Sequence, residues 1–245
     1  ASYRPLPTGD GQKLSIRGQS NGTYYQSYNM SFTEPWLGGK KPNALSLSFF
    51  HSVQTNGVSK ANDGKYSSNG TLIKRQVMNI SGVSIGLGKR LKWPDDYFTL
   101  MTDLSYQYYQ LKNYSSTFAF SDGYSNNISA TLTLARNSID APIFPRSGSE
   151  VSFMAQSTLP YSLINNRDYS VLSSQEKFKW LEYHKYKVST SLYTKLAGKL
   201  VMNTRVRFGF LGLFNKDLGI APFERFYLGG DGLSGFALDG RELIG

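Results

Sequence analysis

His51 and His184 are all the imidazole in this chain of 245 residues, which has no cysteine. Thiolate metal sites and disulfides are excluded, and a histidine-based metal site would need carboxylates at a spacing that is not found here. Lipase- or protease-type hydrolysis needs a Ser-His or Asp-His constellation, and the sequence sets neither histidine beside a convincing partner. The expectation is a protein that is not an enzyme, with no catalytic residue, metal site or cofactor. Two other groups of residues could act without covalent chemistry. Lys185, Lys187, Arg205 and Arg207 alternate with apolar residues and could line an anion-preferring pore. The stretch from Pro222 to Phe236 is too rich in glycine for a helix and too aromatic for a disordered tail, so it reads as a loop that packs against something. Within it, Gly229, Gly230 and Gly232 permit close backbone approach.

The elements that would position these residues are strands. Tyr 17, Phe 15 and Gly 24, with 18% charged residues, describe a β-rich chain. No run approaches the roughly 18 to 20 apolar residues of a spanning helix, which leaves open the β-barrel route into a membrane. A mean hydropathy of -0.36 does not discriminate. The net charge of +10 invites a nucleic-acid reading. However, the basic residues lie scattered in and beside turns, no nucleic-acid-binding signature accompanies them, and the expectation is no nucleic-acid partner. Ala1 follows neither a signal peptide nor an initiator methionine, so the chain reads as an interior piece of a longer protein.

Alternation of apolar and polar side chains recurs in about nine segments. In order, they centre on Leu14 to Gly18, Tyr24 to Phe32, Leu45 to Phe49, Val83 to Leu87, Phe98 to Tyr108, Ile128 to Leu134, Val151 to Leu159, Tyr186 to Leu192 and Leu200 to Phe210. Asn21-Gly22 is a strong hairpin signal between the first two, and Pro35 ends the second. In the fourth, Gly82, Ser84, Gly86 and Gly88 make one face small, which predicts a close approach to that face.

The length of a run such as 96–112, beyond the roughly 5 to 6 residues usual in soluble sheets, and the loop rhythm favour a membrane barrel over a soluble β-sandwich with one wet face. The connections at 55–74, 112–125 and 160–179 are long and polar, and those at 89–95, 137–147 and 197–199 are shorter. The two folds differ over Arg205 and Arg207, lumenal in one and solvent-facing in the other. Trp36, Trp93 and Tyr97 fit either an interfacial aromatic belt or turn packing.

The turn Asp140-Ala141-Pro142-Ile143-Phe144-Pro145-Arg146-Ser147-Gly148 resembles the Asp-x-x-x-Phe-Pro-x-x-Gly turn of outer-membrane assembly factors of the BamA type and of related two-partner secretion translocators. Its matching positions are Asp140, Phe144, Pro145 and Gly148. Tyr25 to Tyr28 leading to Glu34-Pro35-Trp36, Asn203 to Gly209, and Pro222 to Gly230 resemble further stretches of that family in the same order.

The resemblance implies an all-β fold: an antiparallel transmembrane β-barrel of which residues 1–245 are a part, supplying about nine of an expected sixteen strands, the third to the eleventh. The chain would end inside a long lumen-folding loop at about 213–245, with the remaining strands and the periplasmic repeats absent. The family's loop carries an arginine between an aliphatic residue and Gly-aromatic. Here that slot reads Leu233-Ser234-Gly235-Phe236. Either the motif is degenerate, or 231–245 is an insertion and the motif follows Gly245; the intact Gly229-Gly230 favours the second. Arg205 and Arg207 would anchor the loop through Asp231 or Asp239, or else remain solvated lumen charges.

The implied function is insertion of other proteins into the bacterial outer membrane by strand templating at a weak barrel seam. A polypeptide translocator and a passive porin are the alternatives. The implied partners are nascent outer-membrane proteins, accessory lipoproteins of an assembly complex, periplasmic chaperones, and outer-membrane lipid with lipopolysaccharide.

Overall fold

A computed structural model of the chain describes residues 11–37, 43–114, 120–165, 167–228 and 241–243. Nine strands form one sheet in sequence order, each antiparallel to the next. They are β1 (Lys13–Asn21), β2 (Tyr25–Glu34), β3 (Asn43–Thr55), β4 (Val77–Arg90), β5 (Phe98–Lys112), β6 (Gly123–Asn137), β7 (Gly148–Thr158), β8 (His184–Ala197) and β9 (Leu200–Gly212). All nine expected strands are present. Most run further than their alternation suggested, as β6 does, while β5 fills the long run expected at 96–112; each of these two has 15 residues, about 50 Å at 3.3 Å per residue. That length exceeds a tilted bilayer crossing of roughly 9 to 11 residues, so these strands project beyond the hydrocarbon core.

Two helical turns, α1 (Tyr161–Ile164) and α2 (Ser174–Lys177), interrupt the β7–β8 connection, and a small pair, β10 (Phe226–Leu228) with β11 (Arg241–Leu243), follows β9. The helical turns were not foreseen. Ser173 caps α2, its side chain and that of Glu176 exchanging hydrogen bonds with each other's backbone, a local signal too short to register as a helical period.

Register assigns the two faces. Cross-strand partners share a face, so Met30, Phe49, Val83 and Tyr106 lie on one, with Leu47, Ile85, Leu104 and Ala130 in the next row. We call this the outer face. Its residues are bare: Leu104 is 60% exposed and Phe208 63%. Among the described residues no second sheet covers it, and a wall this apolar is stable against lipid rather than water. Arg17, Asn29, Phe50, Gly82, Gln107 and Asn127 belong to the other, inner face. The wall is therefore part of a transmembrane β-barrel.

What closes on the small face of β4 comes from the flanking strands. A Cβ on Gly82 would meet the Phe50 ring at 2.4 Å, and one on Gly86 would meet the Asp103 carboxylate at 2.3 Å and the Ser46 hydroxyl at 2.5 Å. The glycines are seats for side chains of β3 and β5.

The β6–β7 turn explains its own motif. The Asp140 carboxylate accepts the Arg146 N–H at 2.9 Å and the Ser147 N–H at 3.3 Å. Phe144 adopts φ 55, and Gly148 φ 103 with its Cβ position 2.2 Å from the Ser138 carbonyl oxygen. Only glycine fits at 148. Arg136 braces the turn from outside, donating to Asp95 Oδ2 at 2.9 Å and Ser138 Oγ at 2.8 Å while lying 5.5 Å from the Tyr97 ring centroid.

Gly148→Ala is expected to lower unfolding stability by about 1–3 kcal/mol, read as an earlier urea midpoint, while Ser147→Ala changes it little. The Arg146 N–H holds the Asp140 carboxyl below its ordinary value of 3.8, with the Ser147 N–H adding to the effect. A folded value below the unfolded one means that this support is complete above the ordinary carboxylate range and fades as pH falls through the lower folded value. The Arg146 amide resonance should accordingly titrate with a midpoint below 3.8.

Candidate functional site

The best-packed part of the molecule is on the inner face at the long-loop end. Met78 and Ile80 of β4 and Tyr109 and Leu111 of β5 form an apolar floor, and Phe178, Leu181 and Tyr183 from the β7–β8 connection close over it. The same connection is fastened by Glu182, which accepts hydrogen bonds from the Ser162 hydroxyl at 2.8 Å and from its backbone N–H. Burial nevertheless pushes the Glu182 carboxyl up, because losing water disfavours the charged form.

The segment after β9 descends onto this floor. Phe223 stacks on Tyr109 with ring centroids 4.4 Å apart at 8°, and meets Phe120 edge-on at 6.2 Å. Beside it is a buried ion pair. Lys185 Nζ of β8 donates to Glu224 Oε2 at 3.0 Å and to the Glu224 carbonyl at 2.8 Å. The Asn127 side-chain amide of β6 donates to Glu224 Oε1 at 3.1 Å and to the Tyr183 hydroxyl at 3.2 Å. Side-chain exposure is only 8% for Lys185 and 13% for Glu224. Both carboxylate oxygens are therefore partnered, the condition under which a buried pair is tolerated.

Phe226 completes the docking. Lys185 Nζ lies 4.9 Å and Lys187 Nζ 5.6 Å from its ring centroid. The ring rests on Gly209 of β9, where a Cβ would come within 2.7 Å of it. A larger residue at 209 would displace the loop.

The foreseen site residues divide. Arg205 and Arg207 lie on the inner face, in register with Ser191 and Ser189 of β8, and both are exposed. Their expected partners Asp231 and Asp239, and the glycines Gly229, Gly230 and Gly232, lie outside the described residues. Among the described residues the loop is anchored by Lys185, which the sequence marks only as a pore-lining charge, and by Asn127, which it does not mark. Asp140, Phe144, Pro145 and Gly148 form the turn at the opposite end and do not meet this site.

The two histidines also find their places. His184 is on the outer face among Tyr186, Phe210 and Phe214. His51 Nδ1 is 2.8 Å from Ser81 Oγ, a pairing hidden in the sequence by 30 residues of separation. Among the described residues no carboxylate bonds the other ring nitrogen.

A lipid-facing antiparallel wall, long loops at one end, short turns at the other and a loop docked on the inner face define an outer-membrane-type β-barrel with an in-folded loop. The chain belongs to the Omp85 superfamily: the family model for the Omp85 superfamily domain matches residues 8–241. Among solved structures it is similar to BamA from Haemophilus ducreyi lacking POTRA domains 1-3, with TM-score 0.64 and 19% identity, over 91% of this chain and 39% of that one. The chain thus spans well under half the length of that structure. No curated protein matches it by sequence.

Lys185→Met or Glu224→Gln alone should weaken docking of the 218–226 segment by about 3–5 kcal/mol, since each leaves a buried polar partner uncompensated. The Lys185→Met, Glu224→Met double variant should lose less than the sum of the singles. Protease protection of the 213–228 segment in the membrane-inserted protein measures all three.

Proposed function

We propose that this protein is a subunit of a bacterial outer-membrane assembly machine that folds and inserts other outer-membrane proteins, and that it does so without covalent chemistry. The observation that carries the reading is the loop docked on the inner wall of an Omp85 barrel by the Lys185–Glu224 pair. A barrel plugged in this way is suited to work through its edge. Unpaired backbone groups in lipid cost several kcal/mol each, so an edge that offers donors and acceptors to an incoming strand lowers the barrier to insertion. Clients would be nascent outer-membrane proteins delivered by periplasmic chaperones, with accessory lipoproteins at the short-turn end and lipopolysaccharide around the barrel.

Passive conduction is the weaker reading. Lys185 is committed to Glu224 and Phe226, and the segment that binds it occupies the inner surface. A polypeptide translocator is a second reading, favoured by Arg205 and Arg207, which stay exposed along the inner wall. Depletion of the protein separates these functions. Loss of many unrelated outer-membrane barrels is the expected result; loss of one secreted protein with barrels intact would favour translocation. In a planar bilayer the purified protein should conduct little, and a steady open pore would count against the plugged state.

A further inference from the structure

A pocket lies on the opposite face of the same wall. It has a volume of about 630 Å³, and its floor is built from outer-face residues of four strands: Gln26 of β2, Val53 of β3, Asn79 of β4 and Gln110 of β5, all in one cross-strand row. His51 lies one row below and Thr55, Val77 and Lys112 one row above. The roof is the β3–β4 connection, with Val58, Ser59, Lys60 and Arg75 facing the floor.

The roof is built rather than draped. Thr55 Oγ1 donates to the Thr23 carbonyl, and Thr23 Oγ1 donates to the Gly57 carbonyl at 3.2 Å, tying the connection to the β1–β2 turn. Gly57, at φ 83, seats the Tyr24 ring. Arg75 Nε donates to the Val58 carbonyl at 3.1 Å, and Asp63 accepts the Arg75 backbone N–H at 2.8 Å. The pocket's ionisable lining is basic: Lys60, Arg75 and Lys112, with His51 below. Asp63 stands behind Lys112 at 3.8 Å, in a pair whose lysine side chain is 65% exposed. Among the described residues Lys60 enters no ion pair.

Its position defines what it meets. Long loops mark the extracellular end of such a barrel. Along β4 the outer face reads Leu87, Ile85 and Val83, then Ser81 and Asn79, so lipid gives way to polar surroundings at this height. The Asn79 row is four residues, about 13 Å, from the Val83 row. There an apolar groove lined by Met30, Phe49, Val83, Ile85 and Tyr106 runs over the wall. A pocket with a cationic lining and three amide side chains in its floor, at headgroup level above an acyl-sized groove, matches an anionic amphiphile end to end.

We propose that this pocket binds the phosphate-bearing headgroup of a lipid in the extracellular leaflet, with Lys60, Arg75 and Lys112 neutralising the phosphate, the Gln26, Asn79 and Gln110 amides holding the neighbouring polar groups, and the acyl chain lying along the groove. The site is separate from the inner-face loop and does not rest on the insertase reading.

The test uses the delipidated protein in detergent, titrated with dimyristoyl phosphatidic acid and followed by native mass spectrometry. Dimyristoyl phosphatidylcholine and soluble glycerol phosphate are the comparison ligands. Phosphatidic acid should bind in preference to phosphatidylcholine, and Lys60→Gln and Lys112→Gln should each weaken it about fivefold, the effect of one basic side chain near an anionic surface. Gln110→Glu, which leaves every roof contact in place, should weaken it at least as much. Excess glycerol phosphate should fail to compete. Equal binding of the two lipids, or unchanged binding by all three variants, would overturn the proposal. Competition by glycerol phosphate at the lipid's own concentration would overturn it too, by assigning the pocket to a soluble phosphate.

Discussion

Inside a bilayer no water is available to backbone donors and acceptors, so a chain that crosses as strands must pair every strand with a neighbour. Everything else in this molecule follows from that constraint. It accounts for uninterrupted antiparallel ladders from β1 to β9, with a register shift between Lys195 and Ala197 at the end of β8. It also decides where irregular backbone can lie. The helical turns and long connections gather beyond the strand ends, where side chains such as Ser173 and Asp140 satisfy the backbone that the ladder cannot.

A paired wall leaves the inner face free to be polar, and the loop uses this. The Lys185–Glu224 pair would be costly against an apolar surface, but here it is met by Asn127 and by the loop's own carbonyl. Stacking of Phe223 on Tyr109 and the seating of Phe226 on Gly209 add apolar burial on either side. The charged contact fixes where the loop sits, and the rings pack beside it.

Strand order was legible in the sequence because period-two alternation needs nothing beyond a few neighbouring residues. Asn21-Gly22 and Pro35 bounded elements for equally local reasons. The glycines of β4 announced a close approach but not its source, since Phe50 and Asp103 reach them only through register. Partnerships across 39 residues, as for Lys185 and Glu224, or 97, as for Asn127 and Glu224, leave no local trace. Arg205 and Arg207 were the more conspicuous cations, and alternation put them on the correct face. Which cation is buried depends on where the loop descends, and nothing in the strand itself encodes that.

The start of β4 at Val77 lies beyond its legible alternation for a related reason, whereas β5 is legible over its whole length as the run 96–112, and the end that the two strands share carries the most information about function. Lower on these strands the outer face is apolar, with Val83, Ile85 and Leu104, and the inner face is small or polar, with Gly82 and Ser105. Nearer the long loops the phase reverses: Met78, Ile80, Tyr109 and Leu111 turn inward while Asn79, Ser81 and Gln110 turn outward. The period is unchanged, so a search for apolar residues on one face stops where the preference changes sides. Physically the reversal records a change of surroundings on both faces at one height. Outside, hydrocarbon yields to headgroups and water; inside, a solvated wall yields to the apolar underside of a docked loop. Two environments, one per face, are therefore written into the same few residues, and a substitution there that improves one face can be judged only against what its neighbours present to the other.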